Sequence, residues 1–466
     1  MDELWRLDAT DLAVLIRSGA VSAVEAARSA LERLDAVNPA LNAVVRVLAD
    51  EALEQAQEAD AAQRRGDPLG LLHGVPVTTK ITADHRGCPT DNGLVSMKDH
   101  RAAEDSAVVA NLRRAGAVFL GRTASPAFAM RGMTSSVLHG QTWNPWSRAV
   151  TCGGSSGGAG AAVAAGIGAI AHGSDIGGSI RWPAYCNGVV GLRTSLGRIP
   201  SHNPSGTNGR ALSGQIMAVQ GPLARSVRDA RLALEAMSPG DPRDGWWTPA
   251  PLRGPPVARR AAILPLPAGL KVDPRVSDAV RTAGRHLQSA GFEVVEAEPP
   301  HLVETTDLWH PIGLPTLASG LAPMLDQVGD PPLTNFITHW LAEKGVPDLA
   351  GHVEALRRRD QIHTAWNQFF ERYPVLVTPI SSTAFLPAER DGEGVDGALE
   401  VLEALRLQFM CPVLGLPGLS VPVGECEGRP LGVQIIAARH REDLCLEAGE
   451  IIETHERIRT PIDPRP

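Results

Sequence analysis

Apolar residues recur at helical spacing through the N-terminal part of the chain, residues 1–68. Ser22 and Glu25 form a capping-box pattern ahead of the segment AARSALERLDAV, a helix that we expect to end before Pro39. A further helix is predicted over residues 48–65, LADEALEQAQEADAAQRR. The pattern therefore predicts an N-terminal helical region.

After this region, short apolar runs of β type alternate with helical segments. The run GVPVTTK, residues 74–80, is followed by a helical pattern over 106–116 and by the run AVFL over 117–120. The alternation continues later in the chain, with helices predicted from Asp273 and from about Arg441, and strands predicted over FEVVEA, YPVLVTP, LSVPV and LGVQIIA. Strands that alternate with helices are typical of the α/β class.

The stretch SPGDPRDGWWTPAPLRGPP, residues 238–256, is rich in proline and glycine and is predicted to be a surface connection. It could mark a domain boundary, but strand candidates resume on both sides. We therefore predict a single domain over 1–466. Its parts are the helical region 1–68, a core segment over 70–235, and a C-terminal part over 257–466 that completes the sheet and the substrate pocket.

Composition narrows the class of protein. The chain has 466 residues, 43% of them hydrophobic but only 4% aromatic, so a large core must consist mainly of aliphatic side chains. The formal net charge is −8, with no basic patch for nucleic acid. No apolar run reaches transmembrane length, and the six cysteines lack the spacing of a zinc site or disulfide framework. These features predict a reduced, cytoplasmic enzyme.

Two glycine-framed serine loops follow each other, TCGGSSGGAG over 151–160 and GSDIGGSIRWP over 173–183. A phosphate-binding P-loop needs a lysine directly after its last glycine, and here Ala159 occupies that position. The segment between the loops, AGAAVAAGIGAIAHG, consists mostly of small residues and is predicted to form a buried helix that links the loops. The pattern disfavours a phosphate site.

Each loop can contribute a serine to a hydrolytic site. In DIGGSIR the glycines let successive backbone N–H groups point at one spot, as an oxyanion hole requires, and a serine there could attack a carbonyl carbon if a base activates it. None of the fourteen histidines lies in a GxSxG elbow. Lys80 ends an apolar run, where desolvation can lower the pKa of an amine. The alternative is a strand-end lysine whose ammonium reaches water.

Together these pieces resemble the amidase signature family of serine hydrolases. The resemblance rests on GVPVTTK, on NPWSRAVTCGGSSGGAGAAVAAG and on GSDIGGSIRWPAYCNGVVGLRTSLGRIP. The segments RTASPAFAMRG, GPLARSVRDAR, VLVTPISSTAFLP and GRPLGVQIIAARHREDLCLEAGE extend it over nearly the whole chain. The family resemblance implies an α/β fold in which helices cover both faces of a central mixed β-sheet, with N-terminal helices added.

The resemblance also implies a Ser–cis-Ser–Lys triad that cleaves a carboxamide C–N bond through an acyl-enzyme. Carried over by motif, Lys80 is the base, Ser155 is the bridging serine that follows a cis peptide bond, and Ser179 is the nucleophile. The oxyanion would be held by backbone N–H groups, those of Ile176, Gly177 and Gly178, with Ser179 as a further candidate. No cofactor or metal is implied.

Supporting roles follow from the same motifs. Ser156 is expected to help by hydrogen bonding, and Asp175 is expected to tie its loop to neighbouring backbone or to Arg181. Met130 and Arg131 lie where the family's substrate-facing loop is found. Cys152 lies at a position where the family often has proline or another small residue. Its thiol is not expected to act in catalysis.

Substrate choice is expected to depend on three later segments, VETTDLWHPIGLPT, LTNFITHWLAE and RLQFMCPVLG. Trp309, Trp340 and Trp366 either wall a pocket for an apolar or aryl acyl group or belong to the core of the C-terminal helices. Both interpretations stay open. The expected partner is a small-molecule amide, with no nucleic acid and no membrane, and a homodimer through the N-terminal helices is plausible by family analogy.

Three alternatives to a free-standing amidase remain. A urea- or carbamate-type hydrolase, for a compound such as biuret or allophanate, predicts an arginine-lined pocket. A glutaminase subunit of a tRNA-dependent amidotransferase would work only within a complex. A binding protein on an inactive amidase fold is disfavoured, because Lys80, Ser155 and Ser179 are all present.

Overall fold

A mixed β-sheet of 11 strands forms the centre of the computed structural model, which describes residues 3–206, 209–456, 458 and 460–465. The described strands are β1 (Val44–Val47), β2 (Pro76–Lys80), β3 (Val118–Thr123), β4 (Ser135–Ser136), β5 (Gly140–Gln141), β6 (Ile170–Asp175), β7 (Val190–Arg193), β8 (Val219–Ala224), β9 (Arg260–Ile263), β10 (Glu293–Glu296), β11 (Val375–Pro379), β12 (Gly418–Cys426) and β13 (Arg429–Ile436). Their order in the sheet is β1-β3-β2-β6-β8-β7-β12-β13-β11-β9-β10, and β4 and β5 form a separate hairpin. All three predicted parts of the chain contribute strands to this one sheet, although the division into those parts stays a prediction.

Helices surround the sheet. Those of the described residues are α1 (Ala9–Arg17), α2 (Ala23–Leu41), α3 (Ala49–Arg65), α4 (Ala107–Arg114), α5 (Gly157–Ala164), α6 (Arg181–Asn187), α7 (Leu212–Met217), α8 (Val227–Met237), α9 (Pro274–Ser289), α10 (Leu302–Asp307), α11 (Trp309–Thr316), α12 (Leu325–Val328), α13 (Pro331–Lys344), α14 (Leu349–Arg372), α15 (Gly394–Leu405), α16 (Met410–Leu414) and α17 (Glu442–Glu456). Among these helices, none is long and apolar enough to cross a membrane.

Both faces of the sheet are covered, as β11 shows. Val375 and Val377 pack into a core cluster with α8, α9 and α17. Leu376, between them, packs into a different cluster that contains residues of α11 and α13–α16. Successive side chains of a strand point to opposite faces, so these helices lie on opposite sides of the sheet. The predicted fold class, a central mixed sheet between helices, is confirmed.

Helix α2 begins as expected but ends later than predicted. The Ser22 Oγ accepts a hydrogen bond from the Glu25 N–H, and the Glu25 carboxylate accepts one from the Ser22 N–H, which completes the capping box. The helix then continues through Pro39 to Leu41. Proline lacks the N–H that would donate to the Asp35 carbonyl, so one helical hydrogen bond is missing, and the helix ends two residues later. The residue after it, Asn42, closes the helix in the left-handed conformation.

The segment between the serine loops also differs from expectation. It was predicted to be one buried helix, but α5 ends at Ala164 and the chain enters strand β6 at Ile170. Gly166 and Gly168 lie between them with positive φ angles of 86° and 74°, a conformation that ends a helix. The second loop is therefore held by a strand of the central sheet.

Candidate active site

Lys80 is the last residue of β2, and all five side chains of this strand are buried. The strand pairs in parallel with β3 and with β6. Ligand sites of α/β proteins form at the carboxyl ends of such parallel strands. The Lys80 side chain therefore lies at the edge of the sheet where a site is expected, and the residue is 0% exposed.

Three serine hydroxyls surround the Lys80 amine. Its Nζ lies 2.7 Å from the Oγ of Ser155, 3.1 Å from that of Ser156 and 3.2 Å from that of Ser174. No carboxylate of the described residues is within ion-pair distance of this amine. Burial lowers the pKa of Lys80 to about 7, against an opposing pull from the Asp175 carboxylate. A large fraction of the amine is therefore neutral near pH 7.

The first serine loop is packed too tightly for any residue but glycine at position 154. The peptide bond between Gly154 and Ser155 is cis. A Cβ atom at Gly154 would lie 2.6 Å from the carbonyl oxygen of Met133 and 2.7 Å from that of Arg131. Because the loop is held this closely against its neighbours, the Ser155 hydroxyl has a fixed position next to the Lys80 amine.

Ser179 lies between β6 and α6 and faces the same cavity as Gly154. The backbone N–H of Ser156 donates to the carbonyl oxygen of Ser179 at 3.2 Å, which joins the two loops. The Ser179 side chain is half-buried, and its Oγ has no hydrogen-bond partner among the described residues. Among the described residues, therefore, no hydrogen bond joins the Ser155 and Ser179 hydroxyls.

Asp175 anchors the second loop. Its carboxylate accepts hydrogen bonds from the N–H groups of Gly178 and Ile180, at 3.0 and 3.2 Å, and pairs with the guanidinium groups of Arg181 and Arg193, at 3.1 and 3.0 Å. Burial raises the pKa of this carboxyl, but the two arginines outweigh it and hold the pKa well below its usual range. A permanently charged carboxylate therefore fixes the loop that ends in Ser179.

The predicted oxyanion donors are only partly available. Because the Gly178 N–H already donates to the Asp175 carboxylate, it is not a free donor in this structure, and its expected role in the oxyanion hole stays a prediction. Glycine is needed there for another reason: its φ is +111°, and a Cβ would lie 2.2 Å from the Gln408 side-chain oxygen. The N–H groups of Ile176, Gly177 and Ser179 have no acceptor among the described residues. These three are the candidate donors that are free.

Aromatic rings wall the cavity beside Ser179. Trp309 stacks on Trp340, with ring centroids 4.8 Å apart, and on Phe409, with centroids 5.2 Å apart. Phe336 of α13 packs against this group, at 5.3 Å from Trp340. The remaining apolar side chains of the lining belong to Ala129, Met130, Ile176, Leu402 and Leu405. Of the three candidate tryptophans, two therefore line the cavity, whereas Trp366 is buried against Phe370 in the core.

The positive charge of Arg131, at the wall of this cavity, is neutralised by ion pairs with two carboxylates. Arg131 lines the cavity, and its guanidinium is fully buried between Glu389, at 2.9 Å, and Asp391, at 2.5 Å. Among the described lining residues it is the one with a charged side chain. Because its guanidinium is already paired with two carboxylates, Arg131 offers little to an anionic or urea-like substrate.

Several other groups lie outside this chemistry. Burial raises the pKa of Cys152 to about 12, so its thiol is not a nucleophile near neutral pH. One cluster of the described residues could hold a metal ion, formed by Glu51, His85 and Cys88. The Arg113 guanidinium lies 3.1 Å from the His85 ring and 3.7 Å from the Glu51 carboxylate, and none of the four lines the cavity. That catalysis needs no metal or cofactor stays a prediction.

Sequence reasoning missed Ser174, whose hydroxyl is part of the cluster around the Lys80 amine. Its signal was present, since it directly precedes Asp175 in the second loop. It also missed Leu402 and Leu405, because they lie on α15, outside the three segments expected to control substrate choice. Phe336 and Phe409 lie within those segments, but nothing in the sequence showed that their rings meet.

Comparison with known proteins extends these observations. A family model described as Amidase matches residues 25–446. The chain is 46% identical over 465 residues to an indoleacetamide hydrolase of Bradyrhizobium diazoefficiens, covering 97% of this chain and 86% of that protein. It is 34% identical to an acylamidase of Rhodococcus erythropolis, covering 94% of this chain and 92% of that protein.

A solved structure is similar to this protein over the whole fold. A bacterial aryl acylamidase of the amidase signature enzymes superposes with a TM-score of 0.84 at 27% identity, covering 97% of each chain. The fold agrees with that structure, and the family model matches most of the chain. This protein therefore belongs to the amidase signature family and is an amidase, an enzyme that hydrolyses amide C–N bonds.

Proposed function

We propose that this amidase hydrolyses a small arylacetamide, a carboxamide whose acyl group carries a flat aromatic ring, through an acyl-enzyme on Ser179. The observation that supports this most directly is the aromatic wall of Trp309, Trp340 and Phe409 beside the Ser179 hydroxyl. Planar rings stack favourably in the offset, near-parallel geometry that such a wall offers. The relative named indoleacetamide hydrolase supports the same substrate class.

In this proposal Lys80 is the base. A neutral amine has two N–H bonds to donate and one lone pair to accept with. The three hydroxyls around it match that capacity: Ser156 and Ser174 accept, and Ser155, at the shortest distance of 2.7 Å, donates. As the Ser179 Oγ attacks the amide carbon, its proton passes to the Ser155 Oγ, and the proton of Ser155 passes to Lys80.

The attack creates a tetrahedral intermediate with a negative oxygen, which the free N–H groups of the second loop would stabilise. The relay then runs backwards: Lys80 returns a proton through Ser155 to the amide nitrogen, the C–N bond breaks, and ammonia leaves. Water attacks the resulting ester with the same relay. The carboxylic acid is released, and the Ser179 hydroxyl is restored.

A urea- or carbamate-type substrate fits this site less well. Biuret and allophanate are small and polar, and an allophanate also carries a negative charge. They would require hydrogen-bonding groups or an unpaired cation in the pocket. The lining is mainly apolar, and the guanidinium of Arg131 is paired with Glu389 and Asp391. An aromatic amide is the better match.

We expect a pH profile controlled by Lys80. For an uncharged amide, kcat/KM should rise about tenfold per pH unit below pH 7 and level off above it, because the pKa of Lys80 is about 7 and the neutral amine is the base. Asp175 stays ionised over this range, and burial lowers the pKa of His172 to about 4. Neither group should therefore add a further pH-dependent change in kcat/KM. Initial rates of ammonia release between pH 5.5 and 9 check this, and a flat profile would contradict it.

Trp340→Ala should change substrate preference. Removing the ring should lower kcat/KM for phenylacetamide and indole-3-acetamide by about 10- to 50-fold, because a stacking contact and buried apolar area are lost. Propionamide has no ring to stack and should be affected much less. The test compares ammonia release from the three amides and from biuret. An unmodified enzyme that prefers propionamide or biuret to the aryl amides would overturn the proposed substrate class.

A further inference from the structure

The indole of Trp309 contacts both the acyl pocket and the loop that precedes Ser179. Its ring forms part of the aromatic wall with Trp340 and Phe409. Its Nε1–H donates to the backbone carbonyl oxygen of Ile176 at 2.7 Å. Because Trp309 is 2% exposed, water does not compete for this hydrogen bond, which makes it stronger than a surface contact.

This hydrogen bond controls the direction of a neighbouring N–H group. Ile176 and Gly177 share one peptide unit, and in a trans peptide the C=O and N–H bonds point in opposite directions. The cis peptide bonds of the described residues lie elsewhere, before Ser155 and before Pro461. Holding the Ile176 carbonyl towards Trp309 therefore turns the Gly177 N–H away from it, and this N–H has no acceptor among the described residues.

The rest of the loop is restrained on both sides of this peptide. Next to it, the Gly178 N–H is bound to Asp175 at 3.0 Å. A Cβ atom at Gly177 would lie 3.2 Å from the Phe409 ring, so the backbone lies against the aromatic wall. Without the Trp309 N–H, the peptide between Ile176 and Gly177 could rotate. Its carbonyl oxygen would then face the position of the oxyanion and repel it.

We propose that Trp309 is a positioning residue for the oxyanion hole and links recognition of the acyl group to the rate of acyl transfer. This inference rests on the proposed function, in which Ser179 is the nucleophile and the Gly177 N–H binds the oxyanion. A ring bound against the indole would stabilise the same tryptophan that holds the Ile176 carbonyl. Binding energy from a remote part of the substrate would then support the transition state.

The test is Trp309→Phe, which keeps an aromatic ring and removes the N–H. Loss of an oxyanion-hole donor costs about 10²- to 10³-fold in kcat, and loosening one should cost somewhat less. We expect kcat to fall by about 10- to 100-fold for phenylacetamide, with KM changed less than about threefold. A fall in kcat is also expected for propionamide, because the oxyanion hole is loosened for every substrate. It should be smaller than for phenylacetamide, because the acyl group of propionamide is too short to reach the wall and gains nothing from the link.

Two matched variants separate this effect from others. Trp366→Phe also removes a buried indole N–H, one that has no hydrogen-bond partner within the described part of the chain, and should leave kcat and KM within about twofold. Trp340→Phe changes the same wall, but its N–H is bound to His310 rather than to the loop. Its effect should be larger for phenylacetamide than for propionamide.

The outcomes are distinguishable. Unchanged kcat in a folded Trp309→Phe enzyme would overturn the inference, as would a loss seen with phenylacetamide alone, which marks an acyl contact only. If Trp309→Phe does not fold, benzothienylalanine at position 309, with sulfur in place of N–H, gives the same comparison at nearly unchanged shape. Retained activity in Ser179→Ala would instead contradict the proposed function itself.

Discussion

Ser179→Ala is expected to lower the turnover of phenylacetamide by about 10⁴-fold or more, because no acyl-enzyme can form without the nucleophilic oxygen. The fold should be unaffected. The side chain is half-buried and its hydroxyl has no hydrogen-bond partner among the described residues, so its removal leaves no buried polar group unpaired. Steady-state ammonia release and thermal unfolding of the two enzymes measure both effects.

The other serines near the site provide the contrast. Ser156→Ala removes a hydroxyl that contacts the Lys80 amine at 3.1 Å but is not the attacking group. We expect a smaller loss, of about 10- to 100-fold. Comparable losses in Ser156→Ala and Ser179→Ala would argue against a distinct nucleophile. A Ser179→Ala enzyme with activity near that of the unmodified chain would rule Ser179 out.

Lys80→Met is expected to lower kcat by about 10³-fold or more, because the variant keeps an unbranched side chain but has no group to accept the Ser155 proton. Its residual activity should lose the rise in rate below pH 7, since the titrating amine is gone. Stability should fall by about 1–3 kcal/mol: the methionine fills most of the same volume in a buried position, but the buried Ser155 hydroxyl loses its hydrogen-bond partner.

Lys80→Arg is the matched control for charge. The guanidinium stays protonated at all accessible pH values, so it can donate to the serines but cannot accept a proton. A nearly inactive Lys80→Arg enzyme would show that the site needs a neutral base and that a cation in the same position is not enough. A mild effect in either variant would mean that another group takes the proton.

Much of the fold could be predicted from local patterns. The alternation of apolar runs and helical segments indicated the α/β class, and the capping box located the start of α2. The resemblance to family motifs predicted that Lys80, Ser155 and Ser179 form the site. In the structure the Lys80 Nζ lies 2.7 Å from the Ser155 Oγ, and Ser179 lies on the adjoining loop.

The remaining features depend on contacts between distant segments. The meeting of Trp309, Trp340 and Phe409 joins parts of three separate helical segments, and no periodicity in the sequence reports it. Likewise, a glycine between Asp175 and Ser179 can supply an oxyanion donor or bind the carboxylate. The hydrogen bond from Gly178 to Asp175 is visible only in the structure. The β1 strand was missed because four residues, VVRV, are too short for a clear pattern.

The nucleophile can be identified most directly with a fluorophosphonate, which phosphonylates an activated serine and releases fluoride. The measurement is intact-mass spectrometry with peptide mapping, on the unmodified enzyme and on Ser179→Ala. We expect one adduct per chain, located on Ser179 and absent from the variant. An adduct on Ser155 or another serine of the active enzyme, or equal labelling of Ser179→Ala, would contradict an acyl-enzyme on Ser179.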